Sequence, residues 1–116
     1  MKFEESNTQI ACFEYFSLAY PKLRPLFFAV PNGGSRDKRE AARMKREGVT
    51  AGVADALLLV ARGPYHGLCV EFKTASGRQS SSQKEFQKAA EAQGYRYEIV
   101  RNFDNFREVI KNFLSL

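Results

Sequence analysis

Histidine and cysteine are nearly missing from this sequence. One His and two Cys occur in 116 residues. Cys12 and Cys69 stand in neither a CxxC nor any metal-ligand spacing, which leaves no basis for a disulfide framework or a zinc knuckle. His66 lies in an expected turn, so a His-based triad or zinc site has little to be built from, and His66 is read as a loop residue. Also missing is any apolar run near the roughly 20 residues that span a bilayer. The opening stretch MKFEESNTQ is too acidic and polar for a signal peptide. No low-complexity tract or internal repeat interrupts the chain, so the expectation is a cytoplasmic protein with no membrane partner.

What is present is the material of one folded domain over residues 1–116. Hydrophobic residues make up 44% and aromatics 13% of the chain, enough for a core but too few residues for two. Eighteen Lys+Arg against thirteen Asp+Glu give a net charge of +5. Such an excess favours a polyanionic partner, of which nucleic acid is the commonest.

Apolar periodicity predicts a first helix over about 5–20, through Ile10, Phe13, Phe16 and Tyr20, stopped by Pro21. LFFAVP predicts a strand at about 26–31, closed by a turn at Asn32-Gly33-Gly34. RDKREAARMKREG reads as a helix of good formers ending at Gly48. A continuous apolar strand is expected over about 55–61, then a turn at GPY. In the next strand, GLCVEFKT, Leu68, Val70 and Phe72 alternate with Cys69, Glu71 and Lys73. Ser80 or Ser81 caps the following helix, Ser80 and Gln83 matching a capping box, with Gly94 closing the far end. YRYEIV is a fourth strand, and Asp104 is expected to open a last amphipathic helix. The order α-β-α-β-β-α-β-α predicts an α/β fold: a small mixed β-sheet of about four strands flanked by helices.

Charges at the head of one apolar strand and inside the next need a reason. With the turn near Gly63 or Pro64, Asp55 falls opposite residues of roughly 71 to 74. Two carboxylates and an ammonium then meet at one end of the hairpin. The carboxylates repel, which argues for a cation between them, and a hard divalent ion with oxygen ligands suits them. Lys73 beside that ion can orient or help deprotonate a water and offset charge on a phosphate. The plain alternative is that Glu71 and Lys73 form an exposed strand face while Asp55 caps a turn.

An Asp at a strand start followed by Glu-X-Lys on the next strand, here Asp55 and Glu71-Phe72-Lys73, resembles the PD-(D/E)XK nuclease superfamily. More closely, PNGGSRDKREAARMKREGVTAGVAD, VEFKTASGRQSSSQKEF and AQGYRYEIVRN, preceded by the helix EESNTQ, resemble a stand-alone VRR-NUC (virus-type replication-repair nuclease) domain over nearly the whole chain. Ala54 stands where that family has proline, and SSSQ where it has Ser-Pro-Glu-Gln; neither change removes a metal ligand. The resemblance implies a restriction-endonuclease-like core and Mg2+ or Mn2+ held by Asp55, Glu71 and the main-chain carbonyl of Phe72. It also implies Lys73 as catalytic, Gln83 supporting the site, and a Glu of the first helix completing it through water. Glu5 is the expected one, with Glu4 and Glu14 as alternatives, and Gln83 read from the residues alone is equally a helix cap. It further implies a homodimeric Holliday junction resolvase acting on branched DNA, encoded by a phage or bacterium, with no small-molecule cofactor.

Arg36, Arg39, Arg43 and Arg46 follow one helix face, a stripe able to track phosphates. Asp37, Glu40 and Glu47 temper it, and Arg36-Glu40 and Arg43-Glu47 also suit plain surface pairs. Arg78, Lys84 and Lys88 form a second candidate patch near the Glu-X-Lys strand; the resemblance implies that Asn32 and Gly33 are the family's Asn-Gly turn near the cleft, with a plain turn as the alternative. Aromatics do not interleave with these charges as on a single-strand stacking surface, so recognition should rest on backbone and shape. Rival expectations are a flap, nicking or restriction-type nuclease, or a non-catalytic nucleic-acid-binding module.

Overall fold

The computed structural model describes residues 2–31 and 37–116. Helix α1, Lys2–Ala19, starts three residues before the expected 5 and ends before Pro21. Glu4 and Glu5 sit in its first turn, where carboxylates complement the helix dipole. A 3-10 turn, Arg24–Leu26, leads into strand β1, Phe27–Ala29. Pairing continues past both ends of this short strand: the Leu59 N–H donates to Leu26 O (2.9 Å) and the Val30 N–H to Asp55 O (2.8 Å).

Helix α2, Lys38–Arg46, is opened by the Asp37 side chain, which accepts from the Glu40 N–H at 2.8 Å. It buries none of its residues. Strands β2, Ala56–Leu58, and β3, Leu68–Phe72, are joined through a turn at Gly63-Pro64 flanked by the Arg62–Tyr65 bridge. Strand β2 is therefore shorter than the expected 55–61. Helix α3, Ser81–Ala92, carries the expected capping box of Ser80 and Gln83. Strand β4, Arg96–Val100, precedes helix α4, Phe103–Leu114. The last helix is capped by Asn102 instead of Asp104: the Asn102 side chain accepts from the Asn105 N–H at 2.8 Å. An Asn cap three residues ahead of a free N–H satisfies the same orphan donor, which leaves Asp104 in the first turn as a dipole partner.

The sheet runs β1-β2-β3-β4, with the first two pairings antiparallel and β3–β4 parallel. Only the parallel pair needs a crossover, and α3 supplies it. Alternation along the strands then sends side chains to two unequal layers. One face packs Phe27, Leu58, Val70, Phe72 and Val100 against Cys12 and Phe16 of α1 and Phe106, Ile110 and Phe113 of α4. Phe13 stacks on Phe27 with ring centroids 4.2 Å apart. Truncating a core Phe such as Phe27 to Ala costs about 3–5 kcal/mol, a large share of the roughly 5–15 kcal/mol that holds a domain folded. The other face gathers Ala54, Cys69 and Tyr97 beneath Phe86 and Ala90 of α3. Glu71 belongs to this second face and is fully buried, so the plain alternative of an exposed strand face does not apply to it. Among the described residues no helix is long and apolar enough to cross a membrane.

Candidate active site

Asp55 immediately precedes β2, and the pairing of Ala56 with Val70 sets it beside Glu71 and Phe72 of β3. The Phe72 N–H donates to Asp55 Oδ2 at 2.7 Å. Because N–H and C=O of one strand residue project to the same side, the Phe72 carbonyl opens toward Asp55 as well. The approach to Asp55 depends on Gly52, which is buried with φ +85°. A Cβ there would collide with the Ser82 carbonyl at the start of α3. Glycine therefore lets the GVAD loop lie against the helix that carries Gln83.

Glu71 is held by residues far from it in sequence. Its Oε1 accepts from the Tyr97 hydroxyl at 2.5 Å and from Gln79 Nε2 at 3.0 Å. Its Oε2 is buried without a hydrogen bond and faces Lys73 Nζ at 3.5 Å. Lys73 donates to Gln83 Oε1 at 3.0 Å, and the same oxygen accepts the Ser80 N–H at 2.8 Å. Gln83 thus serves at once as helix cap and as holder of the lysine.

Electrostatics reflect the crowding. Burial pushes the Asp55 carboxyl above the usual carboxylate range; the Phe72 N–H opposes this, the Glu71 and Glu5 charges add to it, and Lys73 offsets part. Burial, with the Glu71 carboxylate beside it, pushes the Tyr97 hydroxyl well above the phenol range, so it remains a donor at any working pH.

A cleft of about 620 Å3 opens between α1 and the adjoining end of the sheet, with Glu5, Gln9, Glu14, Phe28, Asp55 and Phe72 on its walls. Glu5 and Glu14 both reach this cleft, but it is the Glu5 charge that is felt at Asp55. Glu4 is exposed and does not line it.

Oxygen donors of this kind suit a hard divalent ion, which takes one or two carboxylates and keeps several waters. The buried Glu71 Oε2, which has the Lys73 ion pair but no hydrogen bond, and the destabilised Asp55 carboxyl are what such an ion would relieve. Among the described residues no three His, Cys, Asp or Glu side chains gather as a ready-made metal cluster. Any ion here would therefore rest on two carboxylates, a main-chain carbonyl and water.

Comparison with known proteins adds a structural likeness. No family model matches the sequence, and none of the curated proteins matches it. A solved structure named "VRR_NUC domain protein" superposes with a TM-score of 0.85 and 29% sequence identity, over 97% of this chain and 88% of that one. Nearly the whole chain is thus similar in fold and sequence to a VRR-NUC domain. Its four-stranded mixed sheet and flanking helices form a restriction-endonuclease-like core, a nuclease-family fold.

Around this site the candidate cationic residues divide. Arg39, Arg43 and Arg46 are exposed on α2, and Arg78, Lys84 and Lys88 are set on the loop and helix after β3. Arg36, Asn32 and Gly33 lie outside the described residues. The loop that carries Arg78 is braced by Arg101, whose Nη1 donates to Thr74 O (2.7 Å) and Gly77 O (2.8 Å). Tyr97, Gln79 and Arg101 do not stand out in the sequence. Only the parallel register, which pairs Cys69 with Tyr97, aligns Tyr97 with the face of Glu71, and no local signal marks Gln79.

Proposed function

We propose that this VRR-NUC domain, one unit over residues 1–116, is a divalent-metal-dependent, structure-selective endodeoxyribonuclease. It hydrolyses phosphodiester bonds in branched DNA and acts as a homodimer on four-way (Holliday) junctions. One observation carries the chemistry: Asp55 and Lys73 adjoin a fully buried Glu71 whose Oε2 has no hydrogen bond. Lys73 Nζ at 3.5 Å offsets part of that buried charge, and a further cation between the two carboxylates would offset the rest.

Asp55, Glu71 and the Phe72 carbonyl would hold Mg2+ or Mn2+, with Glu5 reaching it through water. When bound, the ion polarises the scissile phosphate and makes water a stronger nucleophile. Lys73, steadied by Gln83, orients the attacking water and offsets the negative charge that builds on the phosphate. Gln83 is thereby a positioning residue for Lys73. Hydrolysis forms one P–O bond to the water oxygen and breaks the P–O bond to the leaving sugar oxygen. Arg39, Arg43, Arg78 and Lys84 take phosphates flanking the cut, a role supported by their place on α2 and around the start of α3 and by the general preference of Arg and Lys for DNA backbone contacts.

Pairing of two copies is supported by α1, which leaves Phe3, Ile10 and Leu18 exposed at 81%, 52% and 85%. The last helix offers no such surface, because Phe106, Ile110 and Phe113 are spent on the core. Two sites on one dimer fit a duplex with two equivalent strands to cut. The deciding experiment incubates labelled four-way junction, flap, nicked and linear duplex, and single strand with Mg2+, Mn2+ or EDTA, using wild type and Asp55→Ala. Symmetric, metal-dependent incision of the junction by wild type alone is the expected result. Cleavage of flaps or linear DNA instead would retain the nuclease and remove the resolvase, and binding without any cleavage would leave only a DNA-binding module.

A further inference from the structure

Glu71 is bound lopsidedly. Both hydrogen bonds fall on Oε1, from Tyr97 and Gln79, and none on Oε2, which has only the Lys73 ammonium at 3.5 Å beside it. A carboxylate with four acceptor positions and two donors could have received one on each oxygen. Here the two donors come from separate parts of the chain: Tyr97 from β4, paired in register beside β3, and Gln79 from the loop before α3.

Gln79 is itself held in one orientation. Its Nε2 donates to Gln87 Oε1 at 2.8 Å, and Gln87 Nε2 donates in turn to Glu91 Oε2 at 3.1 Å. A carboxylate accepts only, so this run can point in one direction: each amide turns its nitrogen toward a carboxylate at either end. Gln79 cannot flip its amide without setting oxygen against oxygen at Glu71.

We infer that Tyr97 and Gln79 are positioning residues that lock the Glu71 carboxylate with Oε1 occupied and Oε2 reserved for the metal ion. The assignment rests on the metal-site reading above and goes beyond it, since neither residue touches the proposed ion or the DNA. Outer-shell partners of a ligand characteristically set its orientation and through it the metal affinity. Gln83 performs the matching task for Lys73, so one short segment, residues 79–83, steadies both members of the Glu-X-Lys pair.

The test measures Mn2+ binding by isothermal titration calorimetry, without DNA, for wild type, Tyr97→Phe, Gln79→Met and Asp55→Ala. Tyr97→Phe keeps the ring against Phe86 and Gln79→Met keeps the length of the side chain, so each removes the donor to Glu71 with little change of shape, Gln79→Met also ending the bond to Gln87. Melting in EDTA checks that each variant is folded, and either one alone is sufficient. The expected result is a loss of Mn2+ affinity of about 10–100-fold in both donor variants, with no binding in Asp55→Ala. Cleavage by the donor variants then needs correspondingly more Mn2+ but recovers most of its rate at saturation. Binding within about twofold of wild type, while Asp55→Ala abolishes it, overturns the positioning role and leaves the metal site standing. Absence of Mn2+ binding by wild type itself overturns the metal site and the positioning role together.

Discussion

At Asp55 the demands of folding and of chemistry conflict. Burial and the Glu71 and Glu5 charges raise its pKa, against the Phe72 N–H and Lys73. A carboxyl whose folded pKa is raised supports the fold fully below its ordinary value of 3.8 and loses that support as pH rises through the folded value. Without metal, pH above that ordinary value therefore works against the fold at this residue. Asp55→Asn keeps an oxygen for the Phe72 N–H and removes the charge, so in EDTA at pH 7 its melting temperature should equal or exceed that of wild type, by up to about 4–8 °C per kcal/mol recovered. Its cleavage should be lost. Lys73→Ala should also lose cleavage but keep the thermal stabilisation that Mn2+ gives the wild type, read in the same melting assay. The thiols make a second test at this scale. Burial pushes Cys12 up to about 12 and Cys69 to about 11, from 9.0, and the thiolate is the reactive form. Native protein at pH 8 should leave both unmodified by a disulfide reagent, with both reacting in urea. Between pH 9 and 11 the unfolded chain releases thiol protons that the folded chain retains, so stability should fall across that window.

Among the elements, α2 differs from the rest. Helices α1, α3 and α4 each lay apolar residues on the sheet, whereas no residue of α2 joins either core cluster. Its length is set by local features, the Asp37 cap and the strong helix formers behind it, and Arg39, Arg43 and Arg46 are exposed on it. Arg39→Ala with Arg43→Ala should leave the melting temperature unchanged and weaken DNA binding. The slope of log affinity against log salt should become shallower by about 0.9 for each phosphate that is no longer neutralised. An unchanged slope would return α2 to the role of a solvated surface. Helix order and the Ser80–Gln83 capping box are readable in the sequence because caps and apolar periodicity act within about four residues. The ends of the elements are less so: a β2 of three residues cannot be told from its apolar flanks by alternation alone, and Asn102 and Asp104 are both good capping types.

For the whole molecule, the sheet is covered unevenly. Helices α1 and α4 close one face around the Phe27 cluster, and α3 closes the other over Cys69 and Tyr97. The outer side of α1 remains apolar in places, at Phe3 and Leu18. Phe3→Glu with Leu18→Glu alters exposed positions and should cost the monomer little. If α1 forms the dimer surface, sedimentation at micromolar concentration should shift from dimer to monomer, and symmetric junction incision should fall while Mn2+ binding stays. A dimer that persists would locate the interface elsewhere.

The sequence by itself determined the order of helices and strands, the hairpin that brings Asp55 to Glu71, and the alternation that separates Phe72 from Glu71 and Lys73. These follow from short-range rules of pleat, turn and cap. Only the tertiary structure decided that Glu71 is fully buried, that Tyr97 and Gln79 both hold its Oε1, and that Glu5, among the glutamates of α1, acts on Asp55. Those outcomes depend on the parallel register of β3 with β4, the crossing of α3 over that pair, and the placement of α1 against the sheet. Pairings so distant in sequence leave no local trace, because they are selected by how whole faces pack and not by the residues on either side.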